Sequence, residues 1–281
     1  MNFNSHLTSS PKPNKPVNHR EISYIKRIQK KKNMIKNYFL AVIPMLYLIA
    51  SCNSTSGSQD GVYDTRAVES LDKMSEVIGM LDACSFTLNT YTYERDDAGQ
   101  VSSNSNENDV YMRGPDKMHI RVVGTKGEFG YWYNGSKLAF HDYKKNIYDI
   151  VDAPERIMEA IDFLHEKYGI DFPASDLFYP SITDDILEHF NSVLYFDNIT
   201  IDEVSCVLIE ATNEKTMLQL WIEKDSNLPH KILLVGQSDE GNYYEGVFAN
   251  WRVDPKLPDI LFEYSPPSNT TRVHIKQNSK N

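Results

Sequence analysis

Met118-His119-Ile120-Arg121-Val122, followed by Phe129-Gly130-Tyr131-Trp132-Tyr133-Asn134-Gly135-Ser136-Lys137-Leu138-Ala139-Phe140, is the stretch that decides the fold. Met118, Ile120 and Val122 alternate with His119 and Arg121, and Phe129, Tyr131 and Tyr133 alternate with Gly130 and Trp132. A period of two sends successive side chains to opposite faces of a pleated strand, so one face can be buried. Asn134-Gly135 is a strong hairpin signal, because a tight two-residue turn needs positive φ at both positions. Leu138 and Phe140 continue the alternation, and Lys145-Asn146 marks another turn before a strand over Ile147–Val151. Short strands joined in this way predict an antiparallel meander, sandwich or barrel.

Working outward, the same period recurs on both sides. Phe86 and Leu88 alternate with Thr87 and Asn89. Val207, Ile209 and Ala211 alternate with Cys206, Leu208 and Glu210, and Leu218, Leu220 and Ile222 with Gln219, Trp221 and Glu223. Lys231–Val235 and Tyr243–Trp251 read as further strands. Three segments change period instead. Asp64 caps a helix over Thr65–Leu81 with Val68, Leu71, Met74, Ile78 and Leu81 on one face. Pro154 opens a second, with Ile157, Ile161, Leu164 and Tyr168 on one stripe and Gly169 ending it. Ser181 with Asp184 reads as a capping box for a third, carrying Ile182, Ile186 and Phe190. Asp171–Pro180 is a Pro-flanked connector, and Ser268–Asn281 reads as a loose polar tail. With no linker between 64 and 267, that span is expected to be one mainly β (α+β) domain of about ten strands.

The amino end reads as an address. Tyr38–Ala50 is an apolar run of 13 residues behind Lys30, Lys31, Lys32 and Lys36. It is too short to span a bilayer, which takes about 20 residues, and it fits a secretory signal. The run ends Leu48-Ile49-Ala50-Ser51-Cys52, small residues before a cysteine, as in the lipobox of bacterial lipoproteins. Residues 1–51 are therefore expected to be a signal region and Cys52 the site of lipid attachment, with palmitate-type acyl chains as the anchor. Met34 would start a signal of ordinary size, 34–51, making 1–33 an extra segment or an early start. Residues 52–63 would be a flexible tether, and Asn53, where Asp would favour inner-membrane retention, leans the expectation to the outer membrane.

Residues 1–51 hold nine of the 29 Lys/Arg and one of the 39 Asp/Glu, so the remainder carries 20 bases against 38 acids, a net −18. A body that acidic repels phosphates, which argues against nucleic acid and anionic headgroups as partners. Catalytic motifs are missing. Gly236-Gln237-Ser238-Asp239-Glu240 lacks the closing glycine of a nucleophile elbow. Gly124–Gly130 is glycine-rich but lacks a phosphate loop's Gly-Lys-Ser/Thr ending. No two of the eight histidines stand four apart on a helix as zinc ligands would, and His165 and His189 suit their helix C-termini. Asp184-Asp185 suits a helix start better than acid–base work. The expectation is a protein without catalysis, cofactor or metal. In an oxidising compartment Cys84 and Cys206 could form a disulfide, or stay free as buried cysteines in apolar strands. Trp132, Trp221, Tyr91 and Tyr131 could line a cavity or simply pack on the sheet.

Arg113-Gly114-Pro115-Asp116-Lys117, Tyr131–Lys137, Tyr168-Gly169-Ile170, Pro173, Asp176-Leu177-Phe178, Leu220–Glu223 with Leu228–Lys231, and Leu257–Phe262 occur in that order. Together they resemble an uncharacterised family of predicted periplasmic proteins whose sheet is similar to the lipoprotein carriers LolA and LolB and to mycobacterial LppX. The resemblance implies a strongly curved, incompletely closed antiparallel β-barrel with helices covering the concave face. It also implies a periplasmic, lipid-anchored protein that binds a lipid, acyl chain or other lipophilic ligand as carrier, chaperone or sensor. Met118, Ile120, Val122, Tyr131, Val207, Ile209, Leu218, Leu220 and Ile222 would then line the cavity. The alternative is an interaction module with a packed core, presenting its surface to an envelope protein.

Overall fold

The computed structural model describes residues 61–95, 100–236 and 242–277. Cys52, the signal region and most of the tether lie outside the described residues. Thirteen strands run β1 (Val62–Tyr63), β2 (Ala83–Arg95), β3 (Val101–Arg113), β4 (Lys117–Gly124), β5 (Gly127–Tyr133), β6 (Lys137–Asp142), β7 (Ile147–Asp152), β8 (Ser192–Ile201), β9 (Val204–Thr212), β10 (Thr216–Glu223), β11 (Pro229–Gly236), β12 (Tyr243–Val253) and β13 (Thr271–Arg272). Three α-helices interrupt them: α1 (Thr65–Gly79), α2 (Ile157–Tyr168) and α3 (Ile182–His189), with short 3-10 turns at Ser175–Phe178 and Asp259–Phe262.

All strands join one sheet in the order β1-β8-β9-β10-β11-β12-β2-β3-β4-β5-β6-β7-β13. Its two outermost strands do not pair with each other, so the sheet is open and not closed into a barrel. Interior pairings are antiparallel, and β1 on β8 and β13 on β7 are parallel. Inward-facing residues of both halves, with Leu71, Met74 and Ile78 of α1, Ile161 and Leu164 of α2 and Ile186 of α3, form one hydrophobic cluster. Among the described residues no helix is long and apolar enough to cross a membrane.

Local chemistry explains most boundaries and several departures. Asp64 caps α1, its carboxylate accepting from Arg66 N at 2.9 Å. α2 starts at Ile157 and not at Pro154, because Ala153 N donates to Ser136 O at 3.0 Å and Pro154 O accepts from the Tyr133 hydroxyl. These bonds hold Ala153 and Pro154 against the β5–β6 hairpin, and a bend at 155–156 precedes the helix. Gly169 ends α2 with φ 66°, a left-handed cap that glycine takes without strain. The capping box expected at Ser181 does not form: its hydroxyl donates to Asp185 Oδ2 at 2.8 Å. The hairpin at Asn134-Gly135 is present, but only Gly135 has positive φ, at 93°. Asn134 instead caps the turn, its Oδ1 accepting from Lys137 N at 3.0 Å.

Two segments expected to be loose, Val62–Tyr63 and residues 271–275, are held to the sheet. Val62–Tyr63 extend the sheet at β8, so the tether's last residues are a strand. In the tail, Val273 N donates to Tyr148 O at 2.8 Å, and Ile275 N donates to the buried carboxylate of Asp149 at 2.9 Å. The loose-tail expectation is therefore corrected for these residues. Polar side chains gave no packing signal, and the segment is held mainly by its backbone.

Candidate functional site

One end of the sheet carries a groove. It lies between the C-terminal end of α1, the paired ends of β2 and β3, the first turns of α2 and the segment Phe178–Pro180. Backbone bonds fix these pieces together. Gly114 N donates to Asp82 O at 2.8 Å, and Ile157 N donates to Pro115 O at 3.0 Å, hanging the start of α2 from the β3–β4 turn. Across the groove the Tyr179 hydroxyl donates to Asp162 of α2, tying the helix to the far wall. The groove has a volume of about 420 Å³ and is lined by Ile78, Leu81, Cys84, Met112, Met158 and Phe178, with Asp82, Arg156, Glu159 and Asp162 at its polar parts. That size falls at the lower end of small-molecule sites.

Adjoining it is a smaller cavity of about 40 Å³, walled by Phe86, Leu88, Val110, Met118, Ile120, Phe172 and Phe248. It has room for a water but offers it almost no polar partner, which favours an apolar occupant. Met112, Met158 and Phe178 line both spaces. Two of these three shared side chains are methionines, whose unbranched thioethers change rotamer at little cost. Phe178 stacks on Phe86 with ring centroids 5.6 Å apart, which fixes the third.

Of the residues expected to line a cavity, Met118 and Ile120 do so. Val122 and Tyr131 are half-buried against the core, and Tyr131 meets Phe172 edge-on at 5.2 Å. Val207, Ile209, Leu218, Leu220 and Ile222 are brought together as packed core and line neither space. Met112, Met158 and the charged groups of the groove were not singled out by sequence, and Phe178 only as part of the motif Asp176-Leu177-Phe178.

Cys84 and Cys206 are both buried free thiols, which corrects the disulfide alternative. They sit on β2 and β9, separated in the sheet by β10, β11 and β12. Burial pushes the Cys84 thiol up to about 12, so it lines the groove as an apolar group rather than a nucleophile. A second polar cluster is structural. His230 Nδ1 lies 3.4 Å from Glu223, but Ser226 donates to that same carboxylate at 2.7 Å and not to the imidazole. Among the described residues no group of three His, Cys, Asp or Glu is placed to hold a metal ion.

The family model described as "Predicted periplasmic protein (DUF2092)" matches residues 67–276. The chain belongs to the DUF2092 family. Solved structures similar to this DUF2092 chain include LprF from Mycobacterium bovis, at 14% identity over 70% of this chain and 99% of that one, TM-score 0.40. The Pseudomonas aeruginosa MucA/MucB complex matches at 14% identity over 72% of this chain, TM-score 0.39, and the chain spans 62% of that protein's length. A LolA superfamily protein from Nitrosomonas europaea matches at 11% identity over 70% of this chain and 97% of that one, TM-score 0.33. No curated protein matches the chain. The description of the DUF2092 family gives the periplasm as its compartment.

Proposed function

We propose that this DUF2092 protein is a lipid-anchored envelope protein that binds a lipophilic ligand without catalysis. Its helices cover the concave face of the open sheet, and the groove between them is where the ligand enters. The observation that carries the reading is a pair of adjoining spaces, an open groove of about 420 Å³ and an apolar cavity, which share Met112, Met158 and Phe178 in their walls. An apolar chain lying in the groove reaches the cavity when the two methionines swing aside, and each buried CH₂ contributes about 0.8 kcal/mol. The lipobox-like Leu48–Cys52 supports attachment through Cys52, on the periplasmic side of the outer membrane. A carrier, chaperone or sensor all fit this mode of binding.

A second reading keeps a specific observation in its favour. Val207, Ile209, Leu218, Leu220 and Ile222 are buried in the core and line neither the groove nor the cavity, as in a module that recognises an envelope protein and carries no ligand. Native mass spectrometry of the purified full chain, with organic extraction of what co-purifies, separates the two. A stoichiometric lipid, or displacement of a fluorescent fatty acid weakened by Met158→Trp, supports ligand binding. An empty protein that takes up no probe supports the interaction module.

A further inference from the structure

The outward side of the sheet differs between its two halves. Over β4–β6, Trp132 stacks on His119 and is met by Tyr264 of the segment that follows β12. Over β8–β12 the outward side is an apolar band. Phe196, Leu208, Trp221, Lys231 and Val247 stand opposite one another on five neighbouring strands. They alternate with core residues such as Ile209, Leu220 and Phe248, so the row points away from the core. Leu233 and Tyr91 continue the band in the next row. Phe196 is 40% and Tyr91 43% exposed, and none of these apolar side chains belongs to the hydrophobic cluster that the helices join. The polar groups on this side pair within it. Lys231 bonds Glu245 at 2.9 Å and lies over the Trp221 ring at 5.4 Å, and Gln219 donates to Glu210 at 2.6 Å. At the edge of the sheet, Val62 stands opposite Ser192 on the same side and is 63% exposed.

We propose that the outward side of β8–β12 lies against a neutral lipid surface. The inference rests on attachment through Cys52 and goes beyond it by naming the side that meets the bilayer. Cys52 precedes Val62 by ten positions, a reach of at most about 36 Å, so the anchor holds the β1–β8 edge of the band close to the membrane. Tethering makes the docking intramolecular, and a weak contact then suffices. Exposed apolar patches mark such contacts, and Trp and Tyr rings suit the boundary between acyl chains and headgroups. Charge excludes the competing occupants. A second copy would bring a net −18 against a net −18, which favours monomers. Anionic headgroups are repelled by the same charge, and a basic protein would find Glu210 and Glu245 already engaged.

Indole quenching tests this on the full acylated chain in phosphatidylcholine vesicles, with and without bromine on the acyl chains. Trp221 is one of three tryptophans. It should be quenched by the brominated lipid, whereas Trp132 under Tyr264 and Trp251 against Phe86 should not. The quenched share of the emission should therefore vanish in Trp221→Phe. It should survive raised salt, since no net charge is involved. Phe196→Asp with Leu208→Asp should stay on the vesicles through its acyl chains yet lose the quenching, with an unchanged melting temperature as the check on folding; if this variant does not fold, the Trp221→Phe comparison decides alone. An acylated protein whose Trp221 is not quenched overturns the docking and leaves the anchor standing. A chain whose intact mass shows no acyl group on Cys52 overturns both. A mass in detergent that doubles with concentration, and no longer does so in the aspartate variant, assigns this side to a second copy and overturns the lipid surface.

Discussion

The indole of Trp132 lies across Gly130 so closely that a Cβ at position 130 would come within 2.2 Å of the ring. The glycine is a seat for the aromatic on the outward face of β5. From it Trp132 stacks on His119 at 4.8 Å and meets Tyr264 at 4.7 Å. Tyr264 belongs to the segment that leads to β13, so this contact pins that segment to the sheet. Gly130→Ala should therefore cost about 1–3 kcal/mol by overpacking and change the Trp132 fluorescence. A cycle with Trp132→Ala should show the two changes to be less than additive in chemical denaturation, since removing the indole removes the clash.

Core and groove should separate under mutation. Leu220 is 1% exposed, and Leu220→Ala should lower stability by about 2–5 kcal/mol with probe affinity unchanged. Met158→Trp should do the reverse, weakening a fluorescent fatty acid severalfold while shifting the melting temperature little. Loss of binding in Leu220→Ala at temperatures where it is folded would place the ligand in the other half of the sheet.

Stability should also fall on mild acidification. Burial holds both His119 and His141 below the usual imidazole value, although Asp109 and the Tyr131 carbonyl oppose this at His119, and Asp142 and Glu128 at His141. Because the folded values are lowered, the unfolded chain takes up protons first. The contribution is full above about pH 6.5 and is lost as pH falls from there toward the folded values, by at most about 1.4 kcal/mol per pH unit for each group. Denaturant midpoints at pH 7.5 and 5.5 measure the slope, and His119→Gln with His141→Gln should flatten it.

Asp149, 3% exposed, accepts from Ile150 N at 2.8 Å and from Ile275 N at 2.9 Å. Ending the chain at Pro267 removes the second donor and uncovers the edge of β7. The truncated protein should lose about 1–3 kcal/mol and aggregate more readily through that edge. Hydrogen exchange in β7 should rise most; unchanged protection there would show that the tail contributes nothing.

The hairpins from β4 to β7 were legible because each strand buries one face, which writes the period of two into the sequence. β3 was not. Val101-Ser102-Ser103-Asn104-Ser105-Asn106 has low strand propensity, yet it pairs with β2 from Arg95↔Val101 to Ala83↔Arg113. Backbone pairing decides there, and its outer residues face solvent, so nothing selects for apolar alternation. β8 was hidden differently: Val193-Leu194-Tyr195-Phe196 is apolar at every position, and a register shift follows Phe196. The groove had no local signal at all. Asp82, Met112, Met158 and Phe178 come from four separate elements, and a strand pattern tells which face turns inward but not where the packing leaves room.

The pairing of β2 with β12 sets the order in which the protein can be completed. Leu88 lies opposite Phe248, and Ala83 N donates to Asp254 across 171 positions of chain. A growing polypeptide therefore pairs β2 with β3 on one side long before β12, its partner on the other side, exists. Such contact order slows folding and leaves a hydrogen-bonding margin bare until nearly the whole sequence has emerged. The β12 side of β2 is covered only once Tyr243–Val253 arrive, so completion of the sheet comes late rather than growing steadily from the amino end.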